Sequence, residues 1–132
     1  MQILVIAATS FELQPFLEVV PNYSQCDTLI TGVGMVATAF ELGRVLHEKK
    51  YDLLINIGIG GCLDRHIKIG SVVQVVSESF VELGAEDGHN FIPIDQLGYG
   101  KSKFTSCFLN DKELRLPFLK QGEGCLLYTS PS

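Results

Sequence analysis

A chain of 132 residues, 46% hydrophobic and 19% charged, has apolar material for one sizeable core and too little charge for a disordered polymer. Its 15 acidic residues outnumber 10 basic ones, giving a formal net charge of -5, and no basic run is present, which argues against a nucleic-acid surface. Cysteines at positions 26, 62, 107 and 125 are too far apart for a zinc pair or a C-x-x-C redox motif, so reduced thiols in a cytoplasmic protein are expected.

Residues 3–8, ILVIAA, are apolar on both faces, as in a buried parallel strand. No basic segment precedes them, and Glu12 and Pro15 follow at once, so they read as a strand and not as a signal peptide. Ser10 is positioned to cap the next helix, whose apolar residues Phe11, Leu13, Phe16 and Leu17 run to a stop at Pro21. A short strand at residues 28–31 comes next. The clearest helix is 34–50, with Val36, Ala39, Phe40, Gly43 and Leu46 on one face and His47, Lys49 and Lys50 at its negative end. Residues 52–58 form another apolar strand, and residues 72–81 a longer one. Strand–helix–strand alternation predicts an α/β fold with a largely parallel sheet in one domain. Residues 104–119 have the pattern of a further helix, best at 111–116. No apolar stretch approaches the span of a bilayer, so no membrane association is expected.

Two glycine-punctuated turns carry the chemical interest. The first, Gly32-Val33-Gly34-Met35-Val36-Ala37, has the G-x-G-x-x-A form of a dinucleotide site. That reading also needs an acid at the tip of the following strand to hold ribose hydroxyls. Asn56 and Ile57 occupy that tip, and Asp52 lies at the opposite end, so a nicotinamide cofactor is not expected. Taken alone, these glycines are better read as a tight strand-to-helix turn with close packing. The second turn, Gly58-Ile59-Gly60-Gly61, allows backbone N–H groups to approach phosphate or sugar oxygens, or it is a plain turn without a ligand. Glu12 taken alone is an acid in the first turn of a helix, favoured by the dipole. His47, His66 and His89 have no partner at a diagnostic spacing, and Asp87-Gly88 reads first as a turn, so no metal is expected.

The segments ILVIAATSFELQPF, TGVGMVATAFELG, YDLLINIGIGGCLDRHIKIGSVV, FVELGAEDG and FIPIDQLGYG, in this order, resemble the nucleoside phosphorylase and nucleosidase superfamily, and within it the futalosine hydrolases. The resemblance extends from residue 1 to about residue 120, and the ELGAEDG segment directs it toward futalosine hydrolase. It implies a twisted mixed, largely parallel sheet flanked by helices, a purine nucleoside substrate, no cofactor, and homo-oligomers whose subunits help to close each site. It further implies that Glu12 activates the attacking water, with Thr9 beside it. Gly58, Ile59, Gly60 and Gly61 would then pass beneath the ribose and base, with Val33 and Gly34 near the sugar. The family pattern has alanine and later serine where this chain has Gly60 and Cys62. Ile59 and Cys62 offer neither hydroxyl nor guanidinium for phosphate, which favours water as the nucleophile over a phosphorylase reaction. A methylthioadenosine or S-adenosylhomocysteine nucleosidase is a related alternative, and a non-catalytic nucleotide-binding module is one of another class.

In the family, an acid late in the chain protonates the leaving purine, and a glutamate before it binds the ribose hydroxyls. Glu113 and Glu123 stand too early to replace them. The tail CLLYTSPS resembles translated sequencing adaptor. Residues 1–124 are therefore expected to be the N-terminal part of a single nucleosidase domain, incomplete at its C-terminus and inactive alone, and residues 125–132 a non-native tail.

Overall fold

The computed structural model describes residues 1–20, 24–105, 108–109, 112–113 and 120–126, with side chains described as far as residue 105. The chain divides into two compact units, Met1–Arg65 and His66–Ser132.

The first unit is an α/β layer of three parallel strands and two helices: β1 (Ile3–Ala7), α1 (Ser10–Val19), β2 (Cys26–Ile30), α2 (Met35–Glu48) and β3 (Leu53–Asn56). Its sheet has the order β2-β1-β3, with Ile3 opposite both Cys26 and Leu53. The central strand β1 is the core. Leu4, Val5, Ile6 and Ala7 are no more than 2% exposed, which is why the sequence there is apolar without alternation. Val5 and Ala7 pack with Leu13 of α1, flanked by Ile3, Phe16, Leu17, Cys26 and Ile57. Leu4 and Ile6 point to the opposite face of the sheet.

Helix α1 begins one residue earlier than expected. Its N-cap is Thr9, in extended conformation, and Ser10 is already helical. The reason is the spacing Thr9-x-x-Glu12, a capping box in which the two residues satisfy one another's backbone N–H, an arrangement Ser10 has no partner for. The expected stop at Pro21 lies outside the described residues. Helix α2 also departs from expectation, since Val36, Phe40 and Leu46 are exposed while Ala37, Thr38, Leu42 and Val45 are partly buried. The turn before α2 fixes this rotation. Buried Thr31 shares a hydrogen bond of 3.2 Å with Thr38, and a side chain at Gly32 would stand 3.4 Å from the Ala37 methyl. Those contacts turn Ala37 and Thr38 inward whatever the apolar count of the other face.

At the amino ends of the strands Asp27 accepts hydrogen bonds from Lys49 and from the Tyr51 hydroxyl (2.7 Å), and Asp52 accepts from the Gln2 N–H. Asp52 therefore sits at the rim away from the glycine turns, as its position before β3 implies.

In the second unit β4 (Val73–Phe80) pairs in parallel with β10 (Lys120–Leu126) and antiparallel with β7 (Lys103–Thr105). A hairpin joins β5 (Gly84–Asp87) to β6 (Asn90–Pro93), and Gly88 at its tip has φ of 63°, so the expected Asp87-Gly88 turn is present. β8 (Phe108–Leu109) pairs antiparallel with β9 (Lys112–Glu113). The helix expected over 104–119 is not found among the described residues, which there form strands. The Phe104 ring meets Phe80 edge to face at 5.3 Å across β7 and β4, a cross-strand aromatic pair that favours the extended form. The rest of 110–119 lies outside the described residues, as do residues 127–132 of the expected tail. β10 runs across positions 124 and 125.

Candidate active site

Order β2-β1-β3 places a topological switch beside β1. The chain leaves β1 through α1 to one neighbour and returns through α2 to the other, and right-handed crossovers send those helices to opposite faces. The crevice at the carboxyl ends of β1 and β3 is where open α/β sheets of this kind receive ligands. Ile6 is opposite Asn56 in the parallel register, so the residues that follow each strand, Thr9 to Glu12 and Ile57 to Ile59, emerge side by side.

Glu12 occupies the junction. Its Oε2 accepts from the Thr9 N–H at 3.0 Å and from the Thr9 hydroxyl at 2.8 Å. Its Oε1 accepts from the Ile59 N–H at 3.1 Å. The Thr9 hydroxyl in turn accepts from the Glu12 N–H at 3.3 Å. These donors hold the carboxyl group below the ordinary carboxylate range, the Thr9 hydroxyl contributing most, then the Ile59 N–H, with partial burial opposing them. Glu12 is thus an anion at neutral pH.

A side chain at Gly58 would crowd the Glu12 carboxylate and require it to shift. The φ of Gly58 is not in the left-handed region, yet a Cβ there would stand 2.9 Å from Glu12 Oε1. Glu12, Gly58 and Ile59 line an open cavity of about 330 Å³ whose other walls are Phe11, Gln14, Pro15 and Ile57. That volume lies at the lower end of the range for small-molecule sites, and the wall is mostly apolar with one anionic group, the composition such sites share. A second cavity, of about 110 Å³ among Glu78, Ser79, Phe80 and Phe104, is smaller than that range. Among the described residues no three histidine, cysteine or acidic side chains group as metal ligands. No helix of the described residues is long and apolar enough to cross a membrane.

Of the residues selected from sequence, Thr9, Glu12, Gly58 and Ile59 come together here. Thr9 touches Glu12, to whose Oε2 its single hydroxyl proton is committed, and is not itself part of the cavity wall. Gly60 and Gly61 are exposed with open space around them, and Val33 and Gly34 lie at the start of α2, outside the cavity wall. Phe11, Gln14, Pro15 and Ile57 were not anticipated. Helical spacing carried the signal for three of them, because Phe11, Gln14 and Pro15 stand at i, i+3 and i+4 beside Glu12.

Comparison with known proteins gives one relative of direct interest. The chain is 35% identical over 79 residues to a futalosine hydrolase of Streptomyces coelicolor, a match covering 56% of this chain and 34% of that protein. The chain thus spans about a third of the length of this curated relative. No family model matches the chain, and no solved structure matches it.

Proposed function

We propose that this chain carries the water-activating part of a purine nucleosidase site, with the fold of the nucleoside phosphorylase and nucleosidase superfamily. The reaction is hydrolysis of the N-glycosidic bond of futalosine, with release of hypoxanthine on the route to menaquinone. The supporting observation is the Glu12 carboxylate, held against the Gly58–Ile59 backbone at the carboxyl rim of the sheet. The likeness to the Streptomyces coelicolor protein supports the substrate class.

In that reaction the water oxygen bonds to the anomeric carbon while the carbon–nitrogen bond breaks and its electron pair passes to the purine. Positive charge grows on the ribose. Glu12 takes the proton of the attacking water, and its negative charge stabilises the cationic sugar. A separate acid protonates the purine. Among the described residues Glu12 is the acid that lines the cavity. Water is favoured over phosphate because the wall presents the apolar Ile57 and Ile59 and a carboxylate, which repels an anion.

Incubating the whole protein with futalosine and following free hypoxanthine by chromatography tests this reading. Release of base from methylthioadenosine but not from futalosine would reject the substrate. A strict requirement for phosphate would reject the hydrolysis.

A further inference from the structure

The contacts of Glu12 divide unequally between its two oxygens. A carboxylate offers about four acceptor positions, two on each oxygen. Both on Oε2 are taken by Thr9, one by its N–H and one by its hydroxyl. One on Oε1 is taken by the Ile59 N–H. The remaining position, on Oε1, has no protein donor among the described residues, and that oxygen lies against Gly58 and Ile59, both in the cavity wall.

We propose that Thr9 is a positioning residue, whose hydroxyl saturates Oε2 and so leaves Oε1 as the one oxygen able to receive the proton of the attacking water. This rests on the reading of Glu12 as the base. A simple helix cap does not account for the arrangement. A capping box needs only the two side-chain-to-backbone bonds, from Thr9 N–H to Glu12 and from Glu12 N–H to Thr9. The direct hydroxyl-to-carboxylate bond of 2.8 Å is additional, and it is the shortest of the three contacts between the pair. Because that hydroxyl has one proton, its direction is fixed. It donates to Glu12 and is not available to a substrate oxygen. The same bond favours the ionised carboxylate and makes Glu12 a weak base, one that accepts a proton only when the growing charge on the sugar has acidified the water.

The test is a carbon-13 titration of the Glu12 carboxyl in protein labelled at glutamate, comparing wild type with Thr9→Ser, Thr9→Val and Thr9→Gly. Serine keeps the donor and the cap, and it should titrate as wild type. Valine removes both, and glycine removes the hydroxyl while remaining a tolerated N-cap. Both should raise the Glu12 midpoint, and in the whole enzyme both should move the acid limb of the kcat profile upward and lower kcat at neutral pH about fivefold. A Thr9→Gly protein that is folded by circular dichroism and titrates as wild type would overturn the proposal, as would a Thr9→Ser protein whose midpoint rises as far as the glycine variant's. The titration reads the surroundings of Glu12 without turnover, so it can succeed even where the enzyme proves to release no base from futalosine.

Discussion

Glu12 and Ile59 are 47 positions apart in sequence, and the N–H of one meets the carboxylate of the other at 3.1 Å. The bond joins the first turn of α1 to the loop after β3, and it places a negative charge where the sheet opens. The Ile59 N–H, a donor that a glycine-flanked loop could have offered to a ligand, is occupied by the protein's own acid. What the loop offers a ligand is an oriented carboxylate.

Replacing Glu12 with glutamine separates its capping role from the proposed role as base. Glutamine also completes a capping box, so α1 should persist, with about 1 kcal/mol lost where an amide N–H faces the Ile59 N–H. On the proposed role of Glu12 as the base, the substitution should lower kcat of the whole protein about 10²- to 10⁴-fold. Circular dichroism melts and initial rates measured on the same protein check the two expectations. Equal activity in the glutamine variant would remove Glu12 from the chemistry.

The pH dependence of stability has a definite sign. The Glu12 pKa in the folded protein is lowered from 4.5, first by the Thr9 hydroxyl and then by the Ile59 N–H. Its contribution is therefore complete above the unfolded value and lost as the pH falls through the lower folded one. Urea midpoints measured from pH 6 down to pH 3 should fall less steeply for Glu12→Gln than for wild type.

Two neighbouring glycines should respond differently to alanine. Gly58→Ala puts a Cβ 2.9 Å from Glu12 Oε1, while at Gly60 a Cβ meets nothing within 4 Å, and neither residue has a positive φ. Gly58→Ala should displace the carboxylate and lower kcat by up to about 10²-fold. Gly60→Ala should leave kcat within about twofold, since nothing there must move. Parallel rate measurements on the two variants check the contrast.

Tyr51, at the amino rim, should titrate late. Its hydroxyl donates to Asp27, and with partial burial this raises its pKa to about 12, against about 10 for an ordinary tyrosine. The contribution of this bond is complete below the unfolded value and lost as the pH rises through the folded one. Ultraviolet titration should show one phenol ionising near 12, and Tyr51→Phe should remove that step and about 1 kcal/mol of stability.

The parts of the fold that were legible in sequence are those where burial imposes composition. β1 is enclosed on both faces and reads as unbroken apolar sequence; β3 has an apolar run although its residues are largely exposed, and β4 mixes polar with apolar residues from Gln74 on. The capping box was equally present as Thr9-x-x-Glu12, but the neighbouring Ser10 offered a competing cap, and only the reciprocal bond decides between them. The rotation of α2 was not legible, because it is set by Thr31 and Gly32 in the preceding turn and not by the helix's own apolar stripe. Residues 104–119 carry aromatic and aliphatic side chains at spacings that suit either a helix or short strands, and pairing with β4 decides the outcome at Phe104. The proximity of Glu12 to Gly58 requires knowing that β3 lies next to β1, which no local pattern encodes.

The closeness of Gly58 to Glu12 has a consequence for how such a chain can change over generations. The long acid at position 12 occupies the volume that any side chain at position 58 would claim. The two sites are therefore coupled: a Cβ at 58 requires the Glu12 carboxylate to shift, and exchange of glutamate for aspartate at 12 would open that space. Aspartate is one methylene shorter, and the reach to the Ile59 amide would be given up in the exchange.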